Sequence, residues 1–333
     1  MSEIPVLSSR RLRFVMPGGS GQVGQMLARH LQQCGHHVTV LTRGPYTAAW
    51  QTVHWDGLNE GPWTETFEGA DVCINLSGKS VNCRYNEINR QEIYDSRVGT
   101  TRLLNRVIAR LAEPPHLWLN SSTASIYRHA LDRQMDEATG EMGGFERISK
   151  RRHVLDTWNF SARVAQDWEA AFFETETPRT RKVALRSGMT FSPTTGNAFA
   201  VLSNLVRAGL GGTMGNGRQY VSWIHQADFA RAVEFLIDHE EIAGAVNLTA
   251  PKPLPNRAFM EALRDAWEMP NGVPAPWPLL QIGAWLMRTE SELVMKSRCV
   301  VPQRLLDAGF TFQFPEWPQA AEDLVRQWRR RND

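Results

Sequence analysis

The chain has 333 residues, 37 Lys+Arg against 35 Asp+Glu, 42% apolar residues and only 4 Cys. A formal charge of +2 supplies no general field for nucleic acid or an anionic membrane, and no apolar run approaches the ~18 residues of a membrane span. Apolar content is high and Pro+Gly ordinary, which excludes disordered and collagen-like chains, and the length suits two lobes.

The opening MSEIPVLSSRR puts its basic residues after a short apolar patch, unlike a secretory leader, so a cytoplasmic location is expected. Leu12–Met16 reads as a buried strand that runs through a glycine-rich turn into an amphipathic helix with Val23, Leu27 and Leu31 on one face. Strands are expected at Val38–Thr42, Thr52–Trp55 and Asp71–Asn75, then a helix over Arg97–Leu111, a strand at Leu117–Ser121 and a helix over Trp158–Phe173. Val183–Leu185 and Ala245–Thr249 read as further strands of the same sheet, with the glycine-rich loop Gly209–Gly217 between them. Beyond Ala250 prolines punctuate short helices. The fold class expected is α/β: a Rossmann-like, doubly wound parallel sheet over 12–185, with 221–250 returning to it, and a smaller lobe from 186–220 and 251–330. The basic run Arg147–His153 reads first as a solvated loop, second as a phosphate-binding one.

Gly19-x-Gly21-x-x-Gly24 follows a strand and opens a helix. In that context glycines make the tight turn, let the backbone approach a pyrophosphate and let helix and strand pack closely, while the helix N-terminus offers amides to the phosphates. Gly18, Gly19, Ser20, Gly21, Gln22, Val23 and Gly24 are therefore assigned to a dinucleotide, with Leu76, Ser77, Gly78, Ser121 and Ser122 at the ends of later strands. An NAD site wants an acid about 20 residues on, to hold the ribose 2′-hydroxyl. Here Thr42 and Arg43 stand there, and no acid precedes Asp56. A guanidinium suits a 2′-phosphate, so NADP(H) is favoured over NAD(H). Asp56 reads equally as an adenine neighbour or as a turn residue before Gly57. The four cysteines form no CxxC pair and sit in segments that look buried, so no metal site or disulfide framework is expected.

Six segments, GGSGQVG (Gly18–Gly24), INLSGKSV (Ile74–Val81), DSRVGTTRLL (Asp95–Leu104), SSTASIY (Ser121–Tyr127), GNGRQYVSWIHQAD (Gly215–Asp228) and VPQRLLDAGFTF (Val301–Phe312), resemble the extended short-chain dehydrogenase/reductase, or epimerase/dehydratase, family. The likeness is to its epimerase-like branch with a small C-terminal domain of unknown function, and it runs from about Leu12 to Trp328. It implies a cofactor domain, a substrate lobe and a cleft between them. It also implies a Tyr-x-x-x-Lys pair on one helix face plus a Ser or Thr, the lysine lowering the tyrosine pKa so that the phenol exchanges a proton with substrate.

Thr123 matches the hydroxyl position, four residues before Tyr127. The tyrosines at 46, 85, 94, 127 and 220 are followed four residues later by Trp50, Asn89, Val98, Leu131 and Ile224, so none has its lysine. On the following helix Asn159 takes the Tyr place and Arg163 the Lys place, whereas a one-residue shift gives Phe160 and Val164. Neither register supplies a titratable donor. Tyr127 and His225 are the substitute acids considered, with Asp228 read as a helix cap rather than a base. Arg218, in a glycine-rich loop, is the candidate grip on an anionic substrate, joined by Tyr220 and Arg84; Ser77 and Arg97 are further cleft candidates.

Two functions follow: an NADP(H)-dependent oxidoreductase or epimerase-like enzyme with an unorthodox proton donor, or a non-catalytic NADP(H)-binding regulator or scaffold. The partner expected is a small molecule, with neither nucleic acid nor membrane. Arg102, Arg106 and Arg110 make a like-charge stripe on the helix that extended relatives use to dimerise, so a monomer or weak homodimer is expected.

Overall fold

The computed structural model describes residues 10–144, 152–286, 290 and 292–332. Strand β1 (Arg13–Pro17) leads into helix α1 (Gln22–Gln33), followed by β2 (His37–Thr42), β3 (Gln51–His54), β4 (Val72–Asn75), α2 (Glu87–Asp95), α3 (Val98–Arg110), β5 (Leu117–Thr123), α4 (Arg152–Phe173) and β6 (Arg181–Ser187). The chain continues through β7 (Met189–Phe191), α5 (Ala198–Arg207), β8 (Tyr220–Val221), β9 (Trp223–His225), α6 (Gln226–Asp238) and β10 (Gly244–Leu248). It ends in β11 (Leu254–Pro255), α7 (Asn256–Ala266), α8 (Trp277–Leu286), α9 (Glu292–Met295), α10 (Gln303–Asp307) and α11 (Trp317–Asn332).

Seven strands form one parallel sheet in the order β10-β6-β5-β4-β1-β2-β3. Because side chains alternate along a strand, the apolar runs feed both faces. Phe14, Met16, Val38, Val40, Ile74, Leu119 and Leu185 meet Leu27 and Leu31 of α1 and Phe229, Val233 and Leu236 of α6. On the other face Val15, Leu41, Cys73 and Trp118 meet Leu103, Leu104 and Val107 of α3 and Phe172 of α4. Strand order reverses between β1 and β4, and a crevice opens there at the strands' carboxyl ends, where doubly wound sheets take ligands.

The chain leaves the sheet after Ser187 and returns through α6 and β10; Tyr220–Val221 and Trp223–His225 pair only in two-stranded sheets outside it. The second lobe is strongly aromatic. Trp317 stacks on Phe259 at 4.1 Å between ring centroids and donates its indole N–H to the Phe259 carbonyl. Trp223, Trp267 and Trp328 lie in the same cluster.

Three features differ from the sequence reading. Helix α4 starts at Arg152, since no breaker separates it from Trp158. Helix α2 lies where no element was expected, capped by the Asn86 side chain, which accepts from the Asn89 amide. Cys34 is exposed at the end of α1, whereas Cys73 and Cys299 are buried. Most of the basic run Arg147–His153 lies outside the described residues. Among the described residues no helix is long and apolar enough to cross a membrane.

Candidate functional site

At the end of β1, Gly18 adopts φ +71°, and a Cβ on it would lie 2.7 Å from the Ser77 Cα. A Cβ on Gly24 would sit 2.4 Å from the Gly19 carbonyl oxygen, so this glycine lets α1 press against its own turn. Gly21 is different: its Cβ would meet nothing closer than 3.5 Å, so packing against protein does not demand glycine there. Gly21 is also the N-cap of α1 and carries no capping side chain, which leaves first-turn amides and the positive helix end for an anion. The Ser77 hydroxyl is buried beside this turn and has no hydrogen-bond partner among the described residues. A cradle of open amides plus an unsatisfied buried hydroxyl fits a polar, anionic ligand such as a dinucleotide pyrophosphate.

Thr42 donates its hydroxyl to Ser20 at 3.2 Å, tying the end of β2 to the turn, and Arg43 follows, exposed. Asp56 takes the turn role: its carboxylate accepts the Leu58 and Asn59 amides at 2.8 Å, and bonds to the Asn59 amide, the Leu58 amide and the Asn59 side chain hold it down at about 2. Its carboxylate is committed to this turn, as the turn reading expected.

A cleft of about 700 Å³ runs from this turn along the ends of β4 and β5 to α4. Gly18, Gly21–Gly24, Leu76, Ser77, Gly78, Ser121, Ser122 and Thr123 all line it, as does Arg97. Ser122 gives its hydroxyl to Glu169, so Ser77 and Thr123 are the better-placed hydroxyls, Thr123 accepting the Ser125 amide.

The expected catalytic tyrosine is not in this cleft. Tyr127 is 1% exposed; its hydroxyl donates to Asn247 at 2.9 Å and accepts from Arg186 at 2.8 Å. Burial pushes its pKa up. Arg186 in turn holds Glu169 through two bonds of 2.7 and 2.8 Å, so Tyr127 belongs to a sealed polar network under the sheet edge. On α4 the shifted register is the one realised: Phe160 and Val164 line the cleft, Asn159 is buried away from it and Arg163 is exposed alongside Gly144.

The substrate candidates are also displaced. Arg84, Arg218, Tyr220 and His225 do not line the cleft. His225 is 1% exposed; its Nδ1 accepts the Ala227 amide as the cap of α6, and its Nε2 faces Asp323 at 3.3 Å. Asp228 accepts the Gln313 and Phe314 amides, a fixed structural duty. Tyr220 is bound through its backbone to Ser297 and Arg298, Arg218 stands exposed on its loop, and Arg84 faces Glu290 at 3.6 Å.

Other groups occupy the substrate end. Tyr85, 6% exposed, reaches the cleft from the segment after β4. Its ring meets Phe160 edge to face, and burial raises its pKa, with Glu292 adding to the rise and Ser161, Arg97 and Arg298 opposing it. Arg97 bonds the Ile93 and Lys79 carbonyls at 3.1 and 3.0 Å and lies over the Trp168 ring. Burial lowers its pKa to about 10, with Tyr85 the largest opposing influence. Across the cleft Ser161 donates to Glu292, and Arg298 contacts Glu292 at 3.3 Å and the Ser125 hydroxyl at 3.0 Å. Testing each tyrosine for a lysine at i+4 could not find Tyr85, whose charged neighbours come from other segments.

A family model described as "NAD dependent epimerase/dehydratase family" matches residues 14–248, and one described as "Domain of unknown function (DUF1731)" matches 275–324. Epimerase family protein SDR39U1 of Homo sapiens is 28% identical over 319 residues, covering 94% of this chain and 100% of its own. Epimerase family protein YfhF of Bacillus subtilis is 29% identical over 320 residues, covering 94% of this chain and 98% of its own. The crystal structure of human SDR39U1 (isoform 2) with NADPH matches with a TM-score of 0.81 at 27% identity, over 95% of this chain and 99% of that one. A nucleoside-diphosphate sugar epimerase from Corynebacterium glutamicum matches with a TM-score of 0.72 at 25% identity, over 95% of this chain and 59% of that one.

Proposed function

This chain belongs to the NAD dependent epimerase/dehydratase family, and on that footing we propose that it is an NADP(H)-dependent oxidoreductase or epimerase-like enzyme acting on a small carbonyl or hydroxyl compound. The cofactor reading is supported by the uncapped first-turn amides of α1 that follow Gly21, the unsatisfied Ser77 hydroxyl, Arg43 in place of an acid, and the NADPH in the human relative. When bound, the cofactor supplies or accepts a hydride.

The observation that carries an enzymatic reading is Tyr85 in the cleft wall, with Arg97 lining the same cleft. Tyr85 gives a proton to the substrate oxygen during reduction and takes it back in the reverse direction. Arg97, whose hydrogen bonds among the described residues go to backbone carbonyls, keeps its full charge to favour the phenolate left behind. Phe160 packs against the Tyr85 ring and shields this end from water, and Thr123 orients the substrate oxygen.

The test is NADPH consumption by wild type and Tyr85→Phe across a panel of carbonyls, enones and nucleotide sugars, with cofactor binding measured in parallel. Wild-type turnover that falls about 10²–10⁴-fold in Tyr85→Phe at unchanged NADPH affinity supports the reading. Background consumption by wild type throughout the panel, with binding intact, overturns it.

A second reading, a non-catalytic NADP(H)-binding regulator or scaffold, is favoured by Phe160 and Val164 in the helix positions where relatives carry their proton relay. It predicts that NADP⁺ and NADPH change the affinity for a protein partner unequally; equal pull-downs with both forms count against it. In either reading we expect a monomer or weak dimer, checked by light scattering. Charge repulsion along the α3 arginine stripe supports this only in part, because Glu174, one of the acids able to compensate it, pairs with Arg102, and Glu60 pairs with Arg110; a concentration-independent dimer mass counts against it.

A further inference from the structure

On the face of the sheet that α1 and α6 cover lies a second group of chemically active side chains, unconnected with the cleft. His30 and Cys34 stand four residues apart at the end of α1, on one face, and Glu234 comes across from α6. His30 Nε2 lies 2.8 Å from a Glu234 carboxylate oxygen, Cys34 Sγ lies 3.5 Å from the same oxygen, and Cys34 Sγ lies 3.8 Å from His30 Nε2. A tetrahedral zinc ion with ordinary bond lengths sets its N and O ligands about 3.3 Å apart and its S about 3.6 Å from either. Each separation here is within about half an ångström of that triangle, so metal entry asks for little movement beyond loss of the thiol proton to solvent.

From this triangle of ligand atoms we infer that His30, Cys34 and Glu234 bind a zinc-class divalent cation. One thiolate, one imidazole and one carboxylate suit Zn²⁺ or Co²⁺ and not the hard, oxygen-seeking Mg²⁺ or Ca²⁺. Three protein ligands leave a fourth position, and the exposure of Cys34 opens it to water. Glu234 is only 9% exposed, a carboxylate that burial makes costly unless it is paired, and the cation answers that charge more fully than a neutral thiol and an imidazole do. A further imidazole adjoins the cluster: His36 is 6% exposed, its Nε2 has no partner among the described residues, and it lies close enough to feel the charges of Glu234 and His30.

The ion joins the C-terminal end of α1 to α6. His30 and Cys34 lie 8 and 12 residues beyond Gln22, so the site lies about 12–18 Å along α1 from the glycine turn. Its role is therefore to clamp two helices, not to take part in chemistry at the cleft, and it stabilises the folded chain in proportion to how far the free ion exceeds its dissociation constant.

The test uses the full chain freed of metal with a chelator. Zn²⁺ is titrated in competition with a chromophoric chelator, and Co²⁺ is added separately to look for the near-ultraviolet thiolate-to-cobalt charge-transfer band. The expected result is one equivalent of Zn²⁺, a cobalt–thiolate band, and a melting temperature raised by Zn²⁺. Cys34→Ser abolishes the band and weakens Zn²⁺ binding at least tenfold, Glu234→Gln weakens it at least tenfold, and His37→Ala, an exposed neighbour outside the triangle, changes neither. Wild type with no stoichiometric site and no cobalt–thiolate band overturns the inference, without recourse to any variant. So do Cys34→Ser and Glu234→Gln proteins, folded by circular dichroism, that bind Zn²⁺ as wild type does.

Discussion

Tyr85 meets Phe160 edge to face, with ring centroids 5.4 Å apart and planes at 69°. Phe160 lies on α4, the helix on which the family resemblance implies a Tyr-x-x-x-Lys pair, and the phenol that packs against it comes from a different segment of the chain. The phenol in the cleft wall thus comes from the segment after β4 and not from α4, while the floor of the cleft is a glycine turn and a parallel sheet.

The proposed preference for NADP(H) rests on Arg43. Removing its guanidinium deletes charge-assisted hydrogen bonds to a 2′-phosphate, each worth about 1.5–3 kcal/mol. Arg43→Ala is expected to weaken NADPH binding about 10–100-fold and to leave NADH binding unchanged, read by cofactor fluorescence.

Gly24→Ala places a methyl group 2.4 Å from the Gly19 carbonyl oxygen, a backbone atom that cannot move without displacing the turn. Overpacking of this kind costs about 1–3 kcal/mol, and here the strain falls on the cradle itself. Both a lower melting temperature and weaker NADPH binding are expected, by calorimetry and fluorescence. Gly21, whose Cβ would make only an ordinary 3.5 Å contact with the Gly18 carbonyl oxygen, is expected to lose cofactor binding on the same substitution while keeping its stability.

How legible these parts were in the sequence follows from how local their chemistry is. The turn at Gly18–Gly24 is set by neighbours in the chain, and the strands are short β-branched or apolar runs, so turn and sheet are read directly. The substrate end is assembled from Tyr85, Arg97, Ser161, Glu292 and Arg298, on four separate stretches, and no spacing rule links them. A single residue of register separated Asn159/Arg163 from Phe160/Val164, and only burial of α4 decides it. His225 and Tyr127 carry the right chemistry for catalysis, but packing has spent it on a helix cap and a sealed ion pair.

That ion pair gives a stability test. Arg186 and Glu169 are both buried and joined by two hydrogen bonds. Arg186→Met leaves an uncompensated buried carboxylate and removes a donor from Tyr127, and it is expected to cost about 3–5 kcal/mol in urea unfolding. Adding Glu169→Gln is expected to recover part of that loss. A single mutant within about 0.5 kcal/mol of wild type runs against the account.

Asp323 links stability to pH. The His225 side chain first, then Arg326 and Gln327, hold its carboxyl down at about 2 in the folded chain, against about 3.9 when unfolded. Because the folded value is the lower one, the stabilisation is full above about pH 4 and is lost as pH falls toward about 2. Asp323→Asn is therefore expected to be less stable by about 2 kcal/mol at neutral pH, with the gap to wild type closing across that window in denaturant titrations.

The most direct test of the account is a crystal structure of the chain with NADPH bound. It predicts the pyrophosphate on the first-turn amides of α1, the 2′-phosphate beside Arg43, and the Tyr85 hydroxyl as the proton donor nearest nicotinamide C4. A nicotinamide whose C4 faces some other acid, or only Phe160 and Val164 with Tyr85 turned away, contradicts it.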